Sequence, residues 1–107
     1  MIGNPVATPS NAQLERHIRT CALDTANVFL TKHAIERMQE RGATPAMVYE
    51  VLQSGLLTGI PEPSIKHTGV VCRMQRCVCG ENWVVCASVE YPQTDLVVVT
   101  VYELEVM

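Results

Sequence analysis

Val70-Val71-Cys72-Arg73-Met74-Gln75-Arg76-Cys77-Val78-Cys79-Gly80-Glu81-Asn82-Trp83-Val84-Val85-Cys86-Ala87-Ser88-Val89-Glu90-Tyr91 decides how this chain folds. Two runs with a period of two flank a glycine, so 70–79 and 82–91 read as the strands of a hairpin. Placing Gly80-Glu81 in the turn, with Gly leading as type II′ geometry favours, sets Cys79 opposite Asn82, Cys77 opposite Val84 and Arg73 opposite Ser88. One face then carries Val70, Cys72, Met74, Val78, Trp83, Val85, Ala87, Val89 and Tyr91. The other carries Arg73, Gln75, Cys77, Cys79, Asn82, Val84, Cys86, Ser88 and Glu90. Such one-sided alternation belongs to an antiparallel sheet covered on one face only. Arg76 interrupts the apolar side and is expected at the sheet margin, its head in solvent.

Helices precede the hairpin. Ser10 with Gln13 forms a capping box for a helix to about Ala22 that buries Leu14, Ile18 and Cys21. Asn27–Leu30 reads as a short extended lead-in. Thr31 caps a second helix that Gly42 ends, with Ala34, Ile35 and Met38 as its apolar stripe. Thr44-Pro45 opens a third, ended by Gly55, whose stripe is Met47, Val48, Val51 and Leu52. Leu56–Ile60 reads as a short strand, and Pro61-Glu62-Pro63 as a loop or an edge. After a turn at Tyr91–Asp95, Leu96–Tyr102 is apolar on both sides, as a central strand is. The expected fold is α+β: two or three N-terminal helices on one face of a four-stranded, mainly antiparallel sheet. Residues 1–9 form a loose arm, and 10–107 form a single domain.

At 107 residues the chain suits one domain, and 48% hydrophobic against 18% charged residues excludes a disordered chain. No apolar run reaches the roughly 20 residues of a membrane span, and the N-terminus lacks signal-peptide features. Cytoplasmic location and no membrane partner are the expectations. Five cysteines, an odd number, fit a reducing compartment better than a disulfide framework. Their spacing (Cys72, Cys77, Cys79, Cys86) lacks the close pairs of a zinc site, so neither metal nor cofactor is expected.

The net charge of −3 hides an uneven distribution. Lys32, Arg37, Arg41, Lys66, Arg73 and Arg76 fall between 32 and 76, and no cation follows them. A basic patch could form if they converge; scatter over several faces is the plainer outcome. His33, Arg37 and Arg41 lie four residues apart and so stack along one side of their helix. His33 could move a proton in the attack of a ribose 2′-hydroxyl on its adjacent phosphate. Arg37 could hold that phosphate, and His67, beside Lys66, is a second acid–base candidate. Lys32, Arg41, Lys66 and Arg73 would contact neighbouring phosphates. The same helix surface could equally be solvated, its arginines paired with Glu36 and Glu40.

The run His33-Ala34-x-x-Arg37-Met38-x-x-Arg41-Gly42, then Thr44-Pro45-x-x-Val48-x-x-Val51-Leu52-x-x-Gly55 and the closing strand Val97–Tyr102, resembles an uncharacterised bacterial domain family, a domain of unknown function. The resemblance covers roughly residues 28–103. That family is similar, distantly, to the RelE and ParE toxins of toxin–antitoxin systems. The resemblance implies a RelE/ParE-like fold and a toxin-like ancestry, with a metal-independent endoribonuclease activity. RNA, and a cognate antitoxin or another protein, would be the partners. A catalytically inactive interaction or regulatory module with the same fold, able to form a homodimer, is the alternative. This acidic chain departs from the strongly basic, ribosome-directed toxins.

Overall fold

The computed structural model describes residues 9–64 and 69–104. The arm expected over residues 1–9 therefore lies almost wholly outside the described residues. The order is α1 (Asn11–Ala22), a 3-10 turn (Thr25–Asn27), β1 (Val28–Leu30), α2 (Lys32–Arg41), α3 (Pro45–Ser54), β2 (Leu56–Pro63), β3 (Val70–Val78), β4 (Glu81–Val89) and β5 (Leu96–Leu104). The protein is α+β, with three helices and one five-stranded mixed sheet in the order β1-β5-β4-β3-β2. The fifth strand is the expected lead-in. Val28–Leu30 pairs with Leu96–Val98 in parallel, which makes the sheet mixed.

The hairpin forms, but its turn sits one residue earlier than expected. Cys79 and Gly80 occupy it with φ of 53° and 83°, the two positive values of a type I′ turn. Cys77 consequently faces Asn82, Arg73 faces Cys86 and Val71 faces Ser88. Relative to the expected pairing, every partner has moved by two residues. A two-residue shift preserves the face of each side chain, because strand side chains alternate with period two. Trp83 is accordingly 2% exposed in the core, whereas Cys77 is exposed on the other side.

All three helices cover one face of the sheet. Leu14, Ile18, Ala34, Met38, Val48, Val51 and Leu52 meet Cys72, Met74, Trp83, Val85, Ala87 and Val101 in one apolar cluster. The stripe on α2 is narrower than its sequence suggests: Ala34 and Met38 are buried, but Ile35 stays 40% exposed. Position 35 lies 100° round the helix from position 34, so contact with β5 leaves it on the flank. Arg76 sits at the margin as expected, its Nε 3.2 Å from Glu50 Oε2 on α3.

Caps hold the helices in register with the sheet. Thr31 Oγ1 accepts from the Ala34 N–H at 3.1 Å and donates to the Val98 carbonyl at 2.9 Å, fastening the start of α2 to β5. Ser10 and Gln13 complete the capping box of α1, and Thr44 accepts from the Met47 N–H at 3.2 Å. At the β2 edge, Glu15 Oε2 accepts from the Leu57 N–H at 2.8 Å, and Arg19 Nε donates to the Gly55 carbonyl at 2.8 Å. These two α1 side chains, 3.6 Å apart as an ion pair, occupy edge positions where another strand would bind. Pro61 and Pro63 block the far half of the same edge.

Two measurements test this packing. Met38→Ala should lower stability by about 2–5 kcal/mol, the usual cost of emptying a buried methionine site, in a denaturant melt. Glu15→Ala should bare the Leu57 N–H and give concentration-dependent association in sedimentation velocity. A variant that stays monomeric at all concentrations would show that Glu15 does not guard this edge.

Candidate functional site

Two candidate surfaces emerge, on opposite sides of the sheet. The first is the outer side of α2. Lys32, His33 and Arg41 are exposed, and Arg37 is half-exposed. Arg37 is not free: its Nη1 bonds Glu40 Oε2 one turn further on. This is an i,i+3 surface pair with side chains 36% and 52% exposed, so it is worth little and is easily displaced. The buried side of the helix, through Ala34 and Met38, keeps this cationic row at a fixed place beside β5.

His67 and Lys66, the other predicted site residues, lie outside the described residues. Their neighbours Ser64 and Gly69 are joined by a hydrogen bond from the Ser64 N–H to the Gly69 carbonyl, 3.1 Å. Arg73 does not join the α2 cations. It projects from the sheet face that the helices leave bare, while α2 packs on the helix side. The described cations of residues 32–76 are thus spread over several surfaces.

That bare face is the second surface. Its rows are read from the strand register: Thr58, Arg73, Cys86 and Thr100 in one, Leu56, Gln75, Val84 and Tyr102 in the next. Cys86 is 6% exposed and Val84 2%, although neither belongs to the helix-side core. The Arg73 guanidinium lies over Gly59, whose φ of 73° belongs to the irregular stretch of β2 between Thr58 and Glu62. A Cβ at Gly59 would come within 2.5 Å of Arg73 Nη2, so glycine is needed there for space as well as conformation.

Burial controls the ionisation of this region. It pushes the Cys86 thiol up to about 11, the nearby Arg73 charge offsetting only part of the effect and the Glu62 carboxylate adding to it. Burial likewise raises Cys72 to about 11, and it raises the Tyr102 phenol, with Arg73 opposing. These thiols are therefore protonated and unreactive at neutral pH. Among the described residues, no group of three His, Cys, Asp or Glu side chains gathers in a way that could hold a metal ion.

Two cavities lie near the end of the sheet. One, of about 400 Å³, runs between Leu14, Ile60, Pro61, Val70, Val89 and Tyr91 and has mostly apolar walls. The other, about 250 Å³, is lined by Gln13, Arg16, His17, Thr20 and Tyr91. His17 closes over the second, with Nε2 2.7 Å from the Gln93 carbonyl and its ring edge-on to Tyr91 at 4.9 Å. Sequence reasoning did not single out His17. Gln93 lies 76 residues away, and nothing local announces that contact.

Comparison with known proteins gives the class. Residues 30–103 match the sequence profile of a family described as a domain of unknown function (DUF4258). The match spans every element from the end of β1 into β5, and the chain belongs to that family. No curated protein and no solved structure matches the chain. No helix among the described residues is long and apolar enough to cross a membrane.

The cysteine environments give a pH prediction. Cys72 and Cys86 ionise near 11 when folded and near the ordinary value of 9 when unfolded. Their burial therefore contributes stability that is full below pH 9 and lost as pH rises from 9 towards 11. Denaturant melts across that range should show the fall, and Cys86→Ala should make it shallower. In the native protein at neutral pH, a thiol reagent should label Cys77 and Cys79 quickly and Cys21, Cys72 and Cys86 slowly.

Proposed function

We propose that this domain is a small toxin-like module of bacterial origin that acts on RNA in the cytoplasm, with α2 as its working surface. One observation carries the reading: His33, Arg37 and Arg41 stand in an outward row on a helix whose other side is locked into the core. The likeness of the His33–Gly42 motif to a family distantly akin to the RelE and ParE toxins supports it. In this reading Arg41 and Lys32 bind flanking phosphates, while Arg37 exchanges Glu40 for the scissile one. A guanidinium suits that exchange, since its planar fork grips two phosphate oxygens at once.

His33 then accepts the proton of the ribose 2′-hydroxyl as its oxygen bonds to phosphorus. The bond from phosphorus to the departing 5′-oxygen breaks, and that oxygen takes up a proton. The products are a cyclic phosphate and a 5′-hydroxyl, and no metal enters the step. A cognate antitoxin would be the protein partner.

A second reading, a catalytically inactive interaction module with the same fold, is favoured by the Arg37–Glu40 pair and the net charge of −3. The two separate in one set of assays: RNA binding across a salt series, and RNA cleavage with and without a chelator. If α2 works on RNA, affinity falls steeply with salt as counterions are released. His33→Ala then keeps binding but loses about 10²–10⁴-fold in cleavage rate, the usual weight of a general base. Glu40→Gln, which frees Arg37, tightens binding. Absent or salt-insensitive binding by the parent leaves the interaction module, and cleavage abolished only by the chelator points to a metal.

A further inference from the structure

We infer that the bare face of the sheet is the surface through which two copies of this chain pair, face to face. Phe29 on β1 is 49% exposed and Leu56 on β2 is 60% exposed, and these two strands are the edges of the sheet. Register puts both side chains on the face away from the helices, Phe29 level with Ser88 and Leu56 level with Val84. Leu104, also exposed, lies on the same face level with Asn82, beside the hairpin turn. Between these three, the central strand contributes Val84, Cys86 and Ser88, all nearly hidden and none charged. Apolar side chains scattered singly over a surface are ordinary. An apolar patch that runs from one edge of a sheet to the other marks a contact surface.

Charge and size make a second copy the occupant. The chain carries −3 overall, yet among the described strand residues only Arg73 and Glu62 put charges on this face, one of each sign. Two copies therefore meet across surfaces without net charge, where opposed patches sharing the overall charge would repel. Five strands, three of them nine residues long, give a face on the order of 600 Å² at about 4.8 Å between strands and about 3.3 Å per residue. Two such faces together bury on the order of 1,200 Å², which reaches the range of specific interfaces. Sheets pack on sheets by interdigitating the side chains of their facing surfaces, and a two-fold axis covers both patches with one contact. An interface at the small end of the range gives a dimer in equilibrium with its monomer. The β2 edge guarded by Glu15 is a different surface, so growth past two copies in Glu15→Ala reports that edge and not this face.

The test is sedimentation velocity on the intact protein from micromolar to millimolar concentration. The parent should pass from monomer to dimer and stop at two copies. Phe29→Glu and Leu56→Glu, at opposite edges of the face, should each weaken pairing by about a hundredfold or more, because symmetry places the new carboxylate in the contact twice. Both sites are exposed in the single chain, so melts of the dilute variants should stay near that of the parent. Leu104→Glu replaces either variant if it does not fold. Leu23→Glu changes a side chain that is more exposed still, at 71%, but caps α1 away from the strands, and it should leave the dimer intact. A parent that stays monomeric at every concentration, edge variants that still pair, or an equal loss in Leu23→Glu would overturn the proposal. A monomeric parent would leave the face to solvent or to a partner of another kind. α2 lies on the helix side of the sheet, so failure here leaves the α2 reading standing, and the converse also holds.

Discussion

Burial of β4 on both of its faces is the constraint on which the rest of this structure depends. Trp83, Val85, Ala87 and Val89 meet the helices, while Val84, Cys86 and Ser88 are hidden on the side that no described helix covers. A central strand closed on both faces, with antiparallel partners on each side, allows little freedom of register. The bulge between Cys86 and Ala87 lets β5 change its phase against β4 at one point only. Val98 and Val101 can then both point into the core despite being three residues apart. β1 follows from the same arrangement: Val28 packs into the core only because β5 offers it an edge.

Much of this architecture could be read from residue types alone. Ser10, Thr31, Thr44 and Gly42 announced the helix limits, because capping chemistry is local and each residue acts within one turn of itself. The two faces of the hairpin were equally legible, since alternation records burial directly. The turn was harder to read. Gly80 satisfies a type II′ turn as first residue and a type I′ turn as second, and the choice between them rests on Cys79 accepting a positive φ. No local preference of cysteine predicts that. β1 was missed as a strand because three residues carry no measurable period, and its parallel pairing is a long-range event.

The candidate site was legible only in part. The row on α2 follows from helical spacing, so His33, Arg37 and Arg41 share a surface as expected, and the anticipated pairing with a glutamate occurs at Glu40. The environment of Arg73 could not be foreseen. It depends on an irregularity in β2, fourteen residues earlier, and on Cys86 and Tyr102 from two other strands. A basic residue in sequence has a charge, but whether that charge is neutralised is decided by tertiary neighbours. The same holds for Glu15, whose placement on the helix gives no hint that it completes the edge of a sheet.

The parity of the hairpin has a consequence for how this family can vary. Moving the turn by one position along the chain changes each partner by two residues and leaves both faces of the sheet chemically as they were. The tip at Cys79-Gly80, well away from the apolar interior, can therefore gain or lose residues in pairs without exchanging inside for outside. A single residue added at the tip lengthens the loop or enters as a bulge and leaves the faces unchanged as well; added within a paired strand, it turns Trp83 outward or draws an arginine in. Length differences among related chains should thus gather at this tip rather than within the paired strands, and a peptide graft there should leave the rest of the domain undisturbed.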